Sequence, residues 1–333
     1  MKRSIDIFAI LLVIAAILAA GCMSSPSNTS SSLSNSSVSA SPGTPEKITV
    51  SGAFALYPMM VKWADEYKKV NPNVKIDISA GGAGKGMTDA LNGMVDLGMV
   101  SRDISPDEAS QGAVWVAVTK DGVVVTASAD NPVLADLQSK GVNQSVFRQI
   151  FVNGTITTWG QVVGRPDVTK KINVYTRSDA SGAADVWAKY LGYKQENLQG
   201  VGVFGDPGVA DAVKADPQGI GYNNIGFAYD ANTSKPLDGL VIIPLDQNDN
   251  GKIDPDEQVY ATRSDIVSAI NTGKYPSPPA RELNIVTKGS FSGPTLKFVR
   301  WILTDGQQYV EESGYIVLPK ERIQEQLNKL GTK

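Results

Sequence analysis

The chain of 333 residues contains no histidine. That absence removes the Ser-His-Asp and Cys-His nucleophiles, the histidine general base and every histidine metal site. The one cysteine, Cys22, lies near the N-terminus, so intrachain disulfides, cysteine zinc sites and thiol catalysis are excluded from the rest of the chain. Basic clusters are also missing: 31 Lys and Arg face 34 Asp and Glu, a net charge of −3, which argues against a nucleic-acid surface. Beyond one N-terminal apolar run the sequence has no second span, and it carries no P-loop. Carboxylate enzymes survive these exclusions, but the balance moves towards binding.

The N-terminus has the layout of an export signal. Lys2 and Arg3 precede an apolar run from Ile7 to Ala20, followed by Gly21 and Cys22, and the run is short for a membrane span. Ala19, Ala20 and Gly21 ahead of Cys22 resemble a lipoprotein signal, which predicts a signal peptide over 1–22 and a lipid anchor on Cys22; the alternative is an uncleaved anchor. Residues 23–45 are a Ser/Thr/Asn/Pro tract with too little apolar surface to fold, expected to be a flexible tether. Asn28 and Asn35 open glycosylation-type sequons within it. Either reading of the N-terminus puts the remainder outside the cytoplasm, on the outer face of the membrane.

From Ile48 onward the hydrophobic period alternates between strand and helix. "KITVSG" reads as a strand, "MMVKWADEYKKV" as a helix with Met60, Trp63, Ala64 and Tyr67 on one face, then "VKIDIS" as a strand, "GKGMTDALNGMV" as a helix and "DLGMVS" as a strand. This β-α-β-α-β opening predicts an α/β fold on a mainly parallel sheet with ligand sites at the strands' carboxyl ends. "AVWVAVTKDGVVVTAS" is too long for one ordinary element and is expected to cross between two lobes. A second set follows, with "KINVYTRS" a strand, "GAADVWAKYLG" a helix and "DPGVADAVKADPQG" a helix closing at Gly219. With 42% hydrophobic and 20% charged residues, the chain can fill one large domain or two lobes.

Three turns sit directly ahead of helices: "SGAFALYP" from Ser51, "SAGGAGKG" from Ser79 and "RSDASG" from Arg177. Helix N-termini carry unpaired N–H groups and the positive end of the helix dipole, so three of them converging would cradle a small tetrahedral anion. Arg177 and Arg102 could each offer bidentate guanidinium donors. Ser101, Ser178 and Ser181 offer hydroxyls. Taken singly, each turn also reads as an ordinary capped helix start.

A separate segment, "DQNDNGKIDPDE" from Asp246 to Glu257, follows the spacing of a calcium loop. Asp246, Asn248 and Asn250 take the first, third and fifth places, Gly251 the sixth, Lys252 the seventh through its carbonyl, Asp254 the ninth and Glu257 the twelfth. No partner loop is visible, so a bound calcium would be a structural clamp; the plain alternative is a solvated acidic turn.

In chain order, "SGAFALYP", "GGAGKG", "VDLGMVSRDIS", "ITTWGQV", "RSDASGAAD" and "GIGYNNIGFAYD" resemble the phosphate-binding proteins of phosphate ABC importers, over most of the chain from Lys47 to about Gly331. The resemblance implies a two-lobed type II solute-binding fold, each lobe a mostly parallel sheet flanked by helices with the ligand cleft between them. It places lobe I over 46–125 and 229–333, including the calcium-type loop, and lobe II over 126–228. It implies that Arg177, Ser181, Gly182 and Ala183 contact the anion, with Ser101 and the turns at Ala55–Leu56 and Ala83–Gly84 completing the shell. Asp179 or Asp103 would be the carboxylate that selects a protonated anion, and either Arg102 or Asp103 would face the ligand.

The chain departs from the family pattern at Ala53, Phe54, Ala55, Ala83 and Ala183, where hydroxyl side chains often stand. Only backbone N–H groups act there, which leaves molybdate, tungstate, sulfate or a phosphate ester open beside phosphate. The expected partner is a separate ABC permease, and the chain is expected to act as a monomer. The competing readings are a ligand-free adhesion or sensor module on the same fold and a secreted hydrolase using carboxylates and calcium.

Overall fold

The computed structural model describes residues 46–331. The expectations for 1–22, Cys22 and the tether over 23–45 fall outside the described residues. Along the chain run β1 (Glu46–Gly52), α1 (Tyr57–Val70), β2 (Val74–Ala80), α2 (Ala83–Leu91), β3 (Leu97–Val100), α3 (Pro106–Ser110) and the long β4 (Ala113–Ser128). Next come α4 (Leu134–Lys140), α5 (Gln144–Arg148), α6 (Trp159–Val163), β5 (Asn173–Arg177), α7 (Gly182–Tyr190), β6 (Val201–Val203), α8 (Gly205–Ala215), β7 (Gly219–Asn224), β8 (Leu240–Ile242) and α9 (Arg263–Asn271). β9 (Ala280–Lys288), α10 (Gly293–Leu303) and α11 (Lys320–Lys329) complete it.

Helix α1 illustrates how the local sequence chooses its structure. Pro58 stands in the first turn, where its missing N–H is no loss, and Lys68 and Lys69 complement the dipole in the last turn. Met59, Met60, Trp63 and Tyr67 are buried, each fully buried side chain contributing roughly 1.5–3 kcal/mol. The Trp63 indole N–H donates to the Gly306 carbonyl at 2.8 Å, so the ring's one polar atom is satisfied. Helix α8 ends at Ala215 rather than Gly219; Asp216 is already extended, and Gly219 instead opens β7.

The strands form one nine-stranded sheet in the order β2-β1-β3-β9-β4-β7-β5-β6, with β8 added beside β4. Its two ends are parallel, β1 with β2 and β3, and β5 with β6 and β7. The middle is antiparallel, because β4 and β9 run past each other. The 16 residues of β4 pair with β9 in their first half and with β7 and β8 in their second. The register shifts between Ala117 and Thr119, a bulge in the first-lobe half of the strand, a few residues before it enters the second core at Val123.

Beside a small third cluster around Val209 and Val213, two large cores lie on this sheet. One gathers Ile48, Trp63, Met99, Val116, Ile285 and Phe298; the other gathers Val124, Phe147, Trp159, Trp187, Tyr222 and Ile242. The expected lobe boundary is corrected here. Tyr229, Leu245, Tyr260, Ile266 and Tyr275, assigned by sequence to the first lobe, pack in the second core. The physical reason is β8, which pairs with the far half of β4 from Thr126 to Ser128 and carries the following loop and α9 with it. The second lobe therefore runs from about residue 123 to about 280, and the 246–257 loop belongs to it.

Candidate functional site

Arg177 is the last residue of β5, and its side chain is 1% exposed. Its strand is fixed by Tyr222 of β7, whose hydroxyl accepts the Arg177 backbone N–H at 3.3 Å and lies 2.7 Å from the Thr176 hydroxyl. Asp179 grips the guanidinium with both oxygens, Oδ1 on Nε at 2.8 Å and Oδ2 on Nη2 at 2.6 Å. Asp206, in the first turn of α8 and fully buried, takes Nη1 at 2.5 Å. Burial opposes the charge of Arg177, yet the field of Asp206 and then Asp179 outweighs it and raises the arginine's pKa above its ordinary value. Three of the five guanidinium N–H groups are taken up by carboxylates; the two that remain, one on each terminal nitrogen, suit an oxyanion.

Asp206 is itself fixed. Its oxygens accept the Asn224 backbone N–H at 2.9 Å and the Asn224 side-chain amide at 2.7 Å, while the Asn223 amide donates to its carbonyl at 2.9 Å. Asn224 in turn meets Arg281, at the start of β9, which also donates to the Ser101 carbonyl at 3.2 Å and lies 3.5 Å from Asp121. A buried chain of polar groups thus runs from Arg177 through Asp206 and Asn224 to Arg281 and the crossing strand. Burial pushes the Asp121 carboxyl up to about 6 against the pull of Arg281, and pushes Arg281 below its ordinary value.

Helix α7 begins where the anion reading requires a helix start. The Ser181 hydroxyl oxygen caps it, accepting the N–H groups of Ala183 at 3.1 Å and Ala184 at 3.3 Å, which leaves the hydroxyl hydrogen available to donate. Asp179, two residues before this cap, is on Arg177 instead. Gln195 holds the turn, accepting the Ser181 N–H at 3.1 Å and donating to the Asp179 carbonyl at 2.8 Å.

The lobes are closed on each other at this turn. The Gly84 N–H of α2 donates to the Ala180 carbonyl at 2.9 Å. Gly182 lies so tightly on Ser101 that a Cβ there would sit 2.1 Å from Ser101 Oγ, and only glycine permits that approach. A Cβ at Gly82 would meet Asp179 Oδ2 at 2.5 Å. Ala83, Gly84, Ser101, Arg177, Asp179, Ser181, Gly182 and Ala183 are therefore brought together across the lobe junction.

Other expected residues are placed elsewhere. Arg102 turns away: both terminal nitrogens bind Glu108, at 2.6 and 2.9 Å, and Glu108 also closes a capping box with Ser105 at the start of α3. The Glu108 hydrogen bonds outweigh burial and raise the Arg102 pKa. Asp103 is 80% exposed and ion-pairs with Lys189 of the opposite lobe. Neither Arg102 nor Asp103 reaches Arg177. The side chain of Leu56 is in the first core and Ala55 is buried beside it; the Ala55 carbonyl accepts from the Tyr315 hydroxyl at 2.8 Å. Asp206 and Arg281 are not predicted for this region by the sequence, although Asn223 and Asn224 stand in the motif "GIGYNNIGFAYD", and Phe54 is marked there only as a departure from the family pattern.

The 246–257 loop curls on its own backbone. Asp246 accepts the N–H groups of Asn250 and Gly251, Asn248 accepts that of Asn250, and Asn250 accepts that of Lys252. Glu257, buried like Asp246, accepts the N–H groups of Gln247 at 2.7 Å and Asp254 at 3.1 Å. Asp254 is held down to about 2 by Lys252, Asn248 and Asn250. Among the described residues no three His, Cys, Asp or Glu side chains gather as a metal-binding group, and no helix is long and apolar enough to cross a membrane.

Comparison with known proteins agrees with this architecture. The chain is 25% identical over 98% of its length to the phosphate-binding protein PstS of Bacillus subtilis, covering 99% of that protein. It is 24% identical over 95% of its length to PstS of Methanocaldococcus jannaschii, covering 92%. Among solved structures it matches a Clostridium perfringens protein with bound phosphate at a TM-score of 0.66 and 24% identity, over 82% of this chain and all of that one. An ABC-type phosphate transport receptor from Vibrio cholerae matches at a TM-score of 0.59 and 20% identity, again over 82% of this chain and 100% of that one. A family model described as the PBP superfamily domain covers residues 37–305. On that span and on its two closed lobes, the chain belongs to the PBP superfamily and has the type II periplasmic binding-protein fold.

Proposed function

We propose that this chain is an extracytoplasmic receptor that closes its lobes around a tetrahedral oxyanion, phosphate, and delivers it to an ABC importer in the membrane. The observation that carries the reading is Arg177, held charged between Asp179 and Asp206 at the lobe junction with two N–H groups left over. The Ser181 hydroxyl hydrogen is a neutral donor beside it, since that oxygen already caps the Ala183 and Ala184 N–H groups, and the Gly84 N–H is committed to the Ala180 carbonyl across the junction. The names of the relatives, phosphate-binding proteins, support the ligand class. Asp179 favours an anion with a proton to donate, so monohydrogen phosphate is preferred over sulfate, which would meet an unrelieved like charge. Of the alanines that stand in place of hydroxyl residues, Ala53 and Ala183 have their N–H groups taken by the Met99 carbonyl and the Ser181 hydroxyl, which leaves the work there to the backbone N–H groups of Ala55 and Ala83. Cys22 would tether the receptor to the membrane surface.

Calorimetric titration tests this reading. Phosphate should bind in a closing, saturable step that excess sulfate does not abolish, and molybdate and tungstate should bind more weakly. An Arg177→Gln/Asp206→Asn protein should lose the heat. Absence of phosphate binding in the unaltered protein would overturn the reading.

We also propose that the 246–257 loop takes a structural calcium. The support is the order of its oxygen donors and the inward curl of Asp246, Asn248 and Asn250 on a shared turn. Calcium should raise the melting temperature relative to a chelator, and the rise should disappear in Glu257→Gln. Equal melting temperatures with and without calcium would make the loop a plain turn.

A further inference from the structure

Phe54 breaks the pattern of its own turn. Its neighbours Ala53, Ala55 and Leu56 are at most 2% exposed and lie in the first core, whereas Phe54 is half-buried and crosses to the second lobe. Its backbone is anchored on the first lobe, the Ala53 N–H donating to the Met99 carbonyl at 2.9 Å and the Tyr57 N–H to the Phe54 carbonyl at 3.2 Å. Its ring lies over the Arg177 guanidinium at 5.2 Å. Two rings of the second lobe meet it edge-on, Phe204 at 5.7 Å and 81° and Phe227 at 6.4 Å and 79°.

The second lobe is shaped to receive this ring. Gly205 has φ +75°, and a Cβ there would lie 2.9 Å from the Phe54 Cζ, so glycine is needed both for the conformation and for the contact. The Gly205 N–H donates to Asp179 Oδ1 at 3.1 Å, which ties the surface under the ring to the carboxylate that grips Arg177. Phe204 is 61% exposed, so the ring cluster that begins over the buried guanidinium reaches the surface. One face of Arg177 is covered by hydrocarbon, one edge is held by Asp179, and only the two remaining N–H groups are offered to a ligand.

We propose that Phe54 is a specificity-determining residue that restricts the cleft to unsubstituted oxyanions: with Phe204 and Phe227 it fills the space through which the organic group of a phosphate ester would have to project. This rests on the reading that Arg177 binds the anion. The attraction of a cation to the ring face fixes the ring where it screens the site, and the edge-on pairs add to the closed state.

The test measures calorimetric affinities for inorganic phosphate and phenyl phosphate in the unaltered protein, in Phe54→Ala and in Phe204→Ala. The unaltered protein should bind phosphate and reject the ester. Phe54→Ala should shrink that preference on the order of tenfold to a hundredfold, the range a pocket's apolar walls command. Phe204→Ala, at an exposed position that cannot threaten folding, should shift it in the same direction by less. Unchanged preference in both variants, or an equal loss of affinity for both ligands, would overturn the proposal, since the rings would then only close the lobes. A protein that binds phosphate but keeps its preference when Phe54 is removed refutes this inference alone; one that binds no phosphate refutes the oxyanion reading beneath it.

Discussion

Arg177 has the character of a group that cannot be removed singly. Deleting it would leave Asp206, fully buried, without its counter-ion, and breaking one half of such a pair costs about 3–5 kcal/mol. Loss of binding in Arg177→Ala would then be confounded with loss of folding, which is why the paired Arg177→Gln/Asp206→Asn change is the cleaner probe. Asp121 offers a separate test. Its carboxyl sits at about 6 in the fold against an ordinary value of about 4, so the native state binds its proton more tightly than the unfolded chain does. Stability from this group is greatest below that window and falls as pH rises from about 4 to about 6. Melting temperatures of the unaltered protein and Asp121→Asn, compared across pH 4 to 7, should show the unaltered protein losing ground through that window; a constant difference would contradict it. Arg177, Ser181 and Gly182 were legible in the sequence because their meaning lies in one strand-to-helix turn. Asp206 and Arg281 were not, because each gains its place from a partner far along the chain, 29 residues away for Asp206 and Arg177; Phe54 showed only as a departure, since its contacts with Arg177, Phe204 and Phe227 are all distant in sequence.

At the level of elements, the starts of α2 and α7 face each other across the cleft, and closure requires α7 to begin with a residue lacking a side chain. Gly182→Ala should fold, since alanine suits a helix start, but its methyl would collide with Ser101. Small-angle scattering should then report a larger radius with phosphate present than for the unaltered protein, with weakened affinity. An unchanged radius would mean that the loop bearing Ser101 yields. The alternation of strand and helix from β1 to β3 was legible from its period, and so was the unusual length of β4. The lobe membership of residues 229–280 was not: β8 has only three residues, and its place is decided by pairing with a strand more than a hundred positions earlier.

Across the described residues, two large hydrophobic cores share one hydrogen-bonded sheet. β4 and β9 are partners through nine registered residue pairs, and the same β4 continues into the second lobe to hold β7 and β8. Any change in the angle between the two cores would therefore have to bend this ladder rather than part it. The polar chain from Arg177 through Asp206 and Asn224 to Arg281 and Asp121 joins the end of β5 to the crossing strand. The continuous sheet also bears on dissection of the protein. A cut that separated the lobes would strip β4 of partners on one side or the other and leave a bare row of N–H and C=O groups beside apolar side chains. Each half would carry an adhesive edge of the kind that templates aggregation, so a lobe expressed alone should aggregate where the intact pair stays folded.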